Sequence, residues 1–206
     1  MKANRSAATM LTAVLCLTAA ACQGDSPKPP PVTSTPITSP TPTPTSTAAA
    51  LPDFTKWQDK PADIPVPPMP AAAKKHTRAG SVAFAKYYID ILNYVILAAD
   101  SSPAHSLRAS SCSLCRQLED RFTTIVGQGN GYLGDPRYRH RFFASSSGYS
   151  TAVAGVNGHL ERSKWKSRDP SSTKANSEPA ERVGIVVRLE PTDGGWRVVS
   201  FSAENL

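Results

Sequence analysis

Two cysteines three apart, Cys112-Ser-Leu-Cys115, are the sharpest chemical feature of this 206-residue chain. A Cys-x-x-Cys pair at the start of a helix supports three chemistries. It can close as a structural disulfide, it can cycle between thiol and disulfide if one thiol has a lowered pKa, or it can give two of the four ligands of a zinc site. The redox reading lacks the strand and βαβ order that surround such a pair in thioredoxin-like proteins. The zinc reading lacks a second pair, since His76, His105, His140 and His159 are scattered. We therefore expect no metal. A second candidate is an acid–base pocket in which Tyr138, His140 and Phe142 face inward beside Asp90 and Tyr94. The blander accounts are a histidine satisfied within an aromatic core and an Asp90 that sits one helical turn after Lys86. No Ser-His-Asp order, recognisable carboxylate pair or phosphate-cradling glycine loop is present, so no catalytic residue is assigned and no cofactor is expected.

Which of these chemistries applies depends on the compartment, and the N-terminus addresses that. Lys2 and Arg5 precede an apolar run from Ala7 to Leu17, followed by small residues to Ala21. This is the pattern of a secretion signal over residues 1–21. The run is short for a membrane span, which needs about 20 apolar residues. Ala19-Ala20-Ala21-Cys22 resembles the lipobox of bacterial lipoproteins, departing from it at Ala19, where leucine is usual. The resemblance implies cleavage before Cys22 and palmitate-type acyl chains on it. The alternative is an ordinary signal peptide cleaved after Ala21. Two acyl chains suffice for stable anchoring at about 0.8 kcal/mol per buried methylene. The expected location is the extracytoplasmic face of the cell membrane. Cys16 then leaves with the signal and Cys22 is acylated, so Cys112 and Cys115 are the only thiols in an oxidising compartment. There a disulfide is the expected state.

Removal of residues 1–21 leaves 21 Lys and Arg against 16 acids, a side-chain charge of +5. Export and the absence of nucleic-acid motifs argue against nucleic acid as a partner. Beyond the membrane reached through Cys22, an anionic lipid surface or cell-wall polymer suits the charge, with Lys74, Lys75, Arg78, Arg137, Arg139 and Arg141 as candidate contacts. A solvated arginine-rich strand is the plainer reading of the last three. Another envelope protein is the remaining partner class.

Of 19 prolines, 14 fall before Ala71. Residues 22–50 are Pro, Thr and Ser with almost no large apolar side chain, which predicts a disordered linker acting as a spacer. Residues 51–70 differ, because Phe54, Trp57, Ile64, Val66 and Met69 appear among the prolines. They are expected to wrap over a globular domain at 71–206.

In that domain Phe84, Tyr87, Tyr88, Ile91 and Val95 recur at helical spacing between Thr77 and Ala99. Ala85, Ile89, Leu92 and Ile96 widen the face, which predicts a largely buried helix. A second helix is expected from Ser111 to Val126, closed by Gly127, Gly129 and Gly131. The period then changes to two. Strands are expected at Arg137–Ala144, Tyr149–Val156 and Arg182–Glu190. A Pro191-Thr-Asp-Gly-Gly turn leads into a fourth at Trp196–Ser202, and Ser167–Ala180 reads as a flexible loop. The predicted class is α+β, with two to three N-terminal helices packed on a curved antiparallel sheet of about four strands.

The residues Thr77-Arg-Ala-Gly80, Phe84, Tyr87-Tyr88-Ile-Asp90, Leu92-Asn93-Tyr94, Cys112-Ser-Leu-Cys115 and Gly194-Gly-Trp196-Arg-Val resemble a family of actinobacterial lipoproteins of unknown function. The likeness covers about Pro65 to Phe201. It implies a fold similar to the nuclear transport factor 2 superfamily, the cystatin-like cone, and carries no activity with it. The reading that demands least is a non-catalytic module binding a ligand or a partner protein. The alternatives are an isomerase or dehydratase using the cone pocket, and a thiol–disulfide protein using Cys112 and Cys115.

Overall fold

The computed structural model describes residues 51–127, 131–146, 150, 152–168 and 174–206. The expected signal segment, the expected tether and Cys22 lie outside the described residues, as do Gly129 and Tyr149.

The domain opens with the segment from Leu51 to Pro70, which runs along the surface and is pinned at several points. Gln58 and Tyr132 exchange backbone hydrogen bonds of 2.9 and 3.0 Å, and Ala62 N–H donates to Leu97 C=O at 2.8 Å. Phe54, Ala62, Ile64 and Met69 pack against the core. A single 3-10 turn at Ala71–Lys74 follows.

Helix α1, Arg78–Ala98, starts at Thr77, whose side chain accepts from the Gly80 N–H at 3.0 Å. This satisfies one of the amide donors that every helix start leaves without a partner. It ends at Ala99, which takes the left-handed conformation at φ 53°. By length and composition α1 could cross a membrane, but it serves as the core helix, because both its apolar stripes are covered. A short α2, Ser102–Ser106, was not visible as a periodic pattern. Asp100 accepts from the Ser102 N–H at 2.9 Å, and Pro103 suits the first turn, so the residues expected only to end α1 also start α2. Helix α3 spans Ser113–Gly127.

Among the described residues seven strands follow, in two antiparallel sheets rather than the single sheet of about four that was expected. The larger sheet has the order β2-β3-β6-β7, from β2 (Arg139–Ser145), β3 (Ala154–Arg162), β6 (Glu181–Thr192) and β7 (Gly195–Asn205). Its inner face carries Val156, Leu160, Val183, Ile185, Val187, Leu189, Val198 and Phe201, all buried. Tyr88 of α1 meets Phe201 with ring centroids 6.3 Å apart. The smaller sheet has the order β1-β4-β5, from β1 (Gly131–Leu133), β4 (Trp165–Arg168) and β5 (Ala175–Glu178). The stretch read as a loop thus contains the end of β4 and all of β5. Its polar side chains carry no hydrophobic alternation, so only the backbone ladder marks it as sheet.

Strand β3 also departs from expectation. It starts at Ala154 and continues past Val156 to Arg162. Asn157-Gly158 reads as a turn dipeptide, but here Gly158 makes room for a neighbour. A Cβ at that position would lie 2.9 Å from the Phe143 ring.

Candidate functional site

In β2 the expected alternation of Tyr138, His140 and Phe142 breaks. His140 pairs with Leu160 while Phe142 pairs with His159, so Arg141 is the extra residue of a β-bulge. A bulge shifts every later side chain to the other face. His140 and Phe143 therefore share a face, with ring centroids 5.2 Å apart. Phe142 points outward beside His159 and is 53% exposed.

The five candidate pocket residues do not form one pocket. His140 Nε2 lies 3.2 Å from Asp90 Oδ1 at the seam of α1 and β2, but the pair is partly open to solvent and lacks hydrogen-bond alignment. Tyr94 turns toward the end of α1, where its hydroxyl donates to Asp100 at 3.3 Å. Burial, reinforced by Asp100, pushes the Tyr94 phenol up. Tyr138 is in a different place. Its backbone is clamped by Asn93, whose Nδ2 donates to Tyr138 C=O and whose Oδ1 accepts from Tyr138 N–H, both at 2.8 Å.

That clamp sets the Tyr138 ring at the junction of two cavities. The outer one is a cleft of about 280 Å³ between α3 and the smaller sheet. Its walls include Arg121 and Phe122 from α3, Arg162 from the end of β3, and Trp165 and Arg168 from β4. The inner one is an apolar chamber of about 50 Å³ between α1, α3 and the large sheet. Leu118, Phe122 and Tyr138 line both.

Arg162 is the centre of the cleft wall. Its side chain is 6% exposed, and its guanidinium lies over the Tyr138 ring at 4.8 Å and the Trp165 ring at 5.2 Å. Its Nη2 donates to Glu181 Oε1 at 2.9 Å, and the Tyr138 hydroxyl donates to the same oxygen. Burial and the bond to Glu181 push the Tyr138 phenol well above its ordinary value, so it keeps its proton and serves as a donor. Two further donors in this wall, Arg162 Nε–H and Trp165 Nε1–H, are buried with no acceptor.

Sequence reasoning passed over Arg121, Arg162, Trp165, Arg168 and Glu181. One signal was available. Period two from Val156 through Gly158 and Leu160 puts Arg162 on the inner face, where an unpaired arginine is costly.

The cysteines are placed more simply. Cys112 and Cys115 are joined, with Sγ–Sγ 2.01 Å, at the start of α3, and the two residues are 3% and 0% exposed. A bond so covered offers no face to an exchange partner, which weighs against the thiol–disulfide reading. Among the described residues no three His, Cys, Asp or Glu side chains converge as a metal cluster. The strand arginines each have a carboxylate nearby, while Arg139 and Arg141 stay exposed. Arg137 and Arg139 lie 2.9 and 3.6 Å from Asp135, and Arg141 lies 3.0 Å from Glu161.

No curated protein sequence matches the chain significantly. Among solved structures, it is similar to the intermembrane space region of the chloroplast protein ARC6. The identity is 12% over 63% of this chain and 98% of that one, with a TM-score of 0.43. An NTF2-like protein with a cystatin-like fold from Novosphingobium aromaticivorans gives 12% identity over 58% and 77% of the two chains, with a TM-score of 0.38. A protein of unknown function with a cystatin-like fold from Nostoc punctiforme gives 10% over 59% and 88%, with a TM-score of 0.37. The sequence itself matches a family of unknown function, DUF6318, over residues 56–202, and the chain belongs to that family.

Proposed function

We propose that this protein is a membrane-tethered, extracytoplasmic binding module. Residues 1–21 direct export, Cys22 carries the lipid, and residues 22–50 hold the domain away from the membrane. The domain receives a small ligand in the cleft between α3 and the smaller sheet. Lys2, Arg5, the apolar run and the small residues before Cys22 support the export and anchoring half of this reading. The observation that carries the binding half is the cleft itself, with Arg162 stacked between Tyr138 and Trp165 and leading inward to an apolar chamber. Ligand sites are typically concave, with apolar walls and a few placed polar groups.

Binding fits this cleft better than turnover. The titratable groups at its centre are committed to one another, with Tyr138 and Arg162 both donating to Glu181. The His140–Asp90 contact supports an isomerase or dehydratase reading less well, because neither residue lines the cleft or the chamber. Attraction of the domain to anionic lipid, wall polymer or another envelope protein is compatible with the positive charge of the mature chain.

Two measurements test the proposal. Cys22→Ser should move the chain from the membrane fraction to the soluble exported fraction, and retention in the membrane would sink the anchoring half. Native mass spectrometry of the full mature chain, released gently from its own envelope, should show a reproducible small added mass. That mass should disappear in Tyr138→Ala. A clean apo chain from a preparation that retains known weak ligands would count against the binding half.

A further inference from the structure

We infer that the cleft takes a small organic anion, with an oxyanion head among Arg121, Arg162 and Arg168 and a flat apolar body against Phe122, Tyr138 and Trp165. This rests on the binding-module reading above and names its ligand class.

The charge balance of the lining gives the first argument. Three guanidinium groups, Arg121, Arg162 and Arg168, share the cleft with Glu178, and Glu181 stands behind Arg162. Neither carboxylate is idle. Glu181 Oε1 already accepts from Tyr138 and Arg162, and Glu178 accepts from the Ser167 hydroxyl at 2.9 Å. Among the described residues neither Arg121 nor Arg168 forms an ion pair with a carboxylate. Arg168 instead lies over the Trp57 ring at 4.7 Å, which fixes its guanidinium at the cleft edge. Planar, weakly hydrated guanidinium groups on facing walls suit a carboxylate or phosphate, which they bind through paired N–H bonds.

The second argument is independent of net charge. Arg162 Nε–H and Trp165 Nε1–H are buried donors without an acceptor. The buried indole of Trp196, by contrast, is satisfied, since its Nε1–H donates to Lys75 C=O at 3.0 Å. Two orphan donors in one wall call for oxygen. A ligand oxyanion held against Arg162 is the acceptor this wall lacks.

Shape gives the third argument and limits the size. A cleft of about 280 Å³ holds a single ring or a short chain, and the 50 Å³ chamber beyond Tyr138 admits only a few more apolar atoms. Phe122 and Tyr138 line both spaces, so the apolar body lies against rings while the head stays at the arginines.

The test uses the full mature chain in detergent, labelled with nitrogen-15, and follows the three indole N–H signals, with Trp165 assigned from Trp165→Phe. The probes are benzoate, benzyl phosphate, benzyl alcohol and inorganic phosphate. Benzoate or benzyl phosphate should move the Trp165 indole signal downfield to saturation, and comparison of the two tells a carboxylate from a phosphate ligand. Benzyl alcohol should bind about 10-fold more weakly or worse, since it lacks the charge-assisted bonds. Inorganic phosphate should also be weaker than benzyl phosphate. Arg121→Gln and Arg168→Gln, both at the accessible edge, should each weaken the anion and leave the alcohol unchanged.

If benzyl alcohol binds as tightly as benzoate, or if both arginine variants bind anions like the parent, the anion inference is overturned while the binding module stands. A neutral added mass in the native spectrum overturns it in the same way. If no probe moves Trp165 and no added mass is found, both readings fall together.

Discussion

The Tyr138 hydroxyl and the Glu181 carboxylate, 43 residues apart, meet in a hydrogen bond, and Arg162 Nη2 reaches the same carboxylate oxygen at 2.9 Å. Hydrogen bonds to charged groups contribute about 1.5–3 kcal/mol. Tyr138→Phe keeps the ring under Arg162 and removes only this donor. It should therefore lower stability by roughly that amount in urea unfolding. An effect under about 0.5 kcal/mol would mean that the bond is not formed in solution.

A second buried charge pair ties the segment before α3 to that helix. Arg108 reaches Glu119 through Nε at 2.7 Å and Nη2 at 3.0 Å, and both side chains are about 5% exposed. His105 Nδ1 lies 3.1 Å from Arg108 Nη2. Glu119→Ala strands a buried guanidinium and should cost about 3–5 kcal/mol. Replacing both partners by Met and Leu should cost much less. Equal losses in the two variants would contradict the pairing.

Asp135 should confer an acid-side dependence on stability. Burial alone would push its carboxyl up, but the bonds from Arg137 and the charges of Arg137 and Arg139 outweigh it and hold it below its ordinary value. A folded pKa below the unfolded one gives stability that is fully present above the unfolded value, near pH 4, and lost as pH falls through the folded one. Unfolding free energy should thus decline between about pH 5 and pH 2. Asp135→Asn should flatten part of that slope. An unchanged slope would assign the decline to other carboxyls.

At Gly80 a Cβ would sit 1.9 Å from the Lys75 carbonyl oxygen. The 3-10 turn passes directly over the first turn of α1 at this point, so Gly80→Ala must push backbone aside. The expected loss is about 3 kcal/mol or more. Gly194, where an added Cβ meets nothing within 4 Å, is the control, and Gly194→Ala should be close to neutral by thermal melting. Similar losses at both sites would refute the close approach.

The Cys112–Cys115 bond closes a very short loop, so its effect on the unfolded chain is modest. The Cys112→Ala, Cys115→Ala double variant should lose about 2 kcal/mol. Because both residues are buried, reduction of the native protein should track its unfolding rate across a denaturant series. Rapid reduction without denaturant would restore the thiol–disulfide reading.

Some of this was settled by sequence alone, where local pattern and burial agree. Two apolar stripes from Phe84 to Ile96 could only belong to a covered helix. The β6–β7 hairpin was legible because Val183, Ile185, Val187 and Leu189 alternate and Asp193-Gly194 turns the chain. The adjacency of Cys112 and Cys115 also followed from spacing. Other features needed partners from distant parts of the chain. The smaller sheet has too few apolar side chains to leave a period, so only its pairing defines it. The bulge at Arg141 is set by register against β3, and one extra residue sent Phe142 outward and left His140 with Asp90 at the seam. The cleft depended on the smaller sheet, which supplies Trp165, Arg168 and Glu178 to its wall. Arg162 and Glu181 look like ordinary strand-end charges until the sheet pairs them, and Trp165 becomes a buried donor only when β4, which it begins, pairs with β5 and β1. Local periodicity reports which face a residue takes, whereas the neighbour it meets there is fixed by strand register and by the helix packed above.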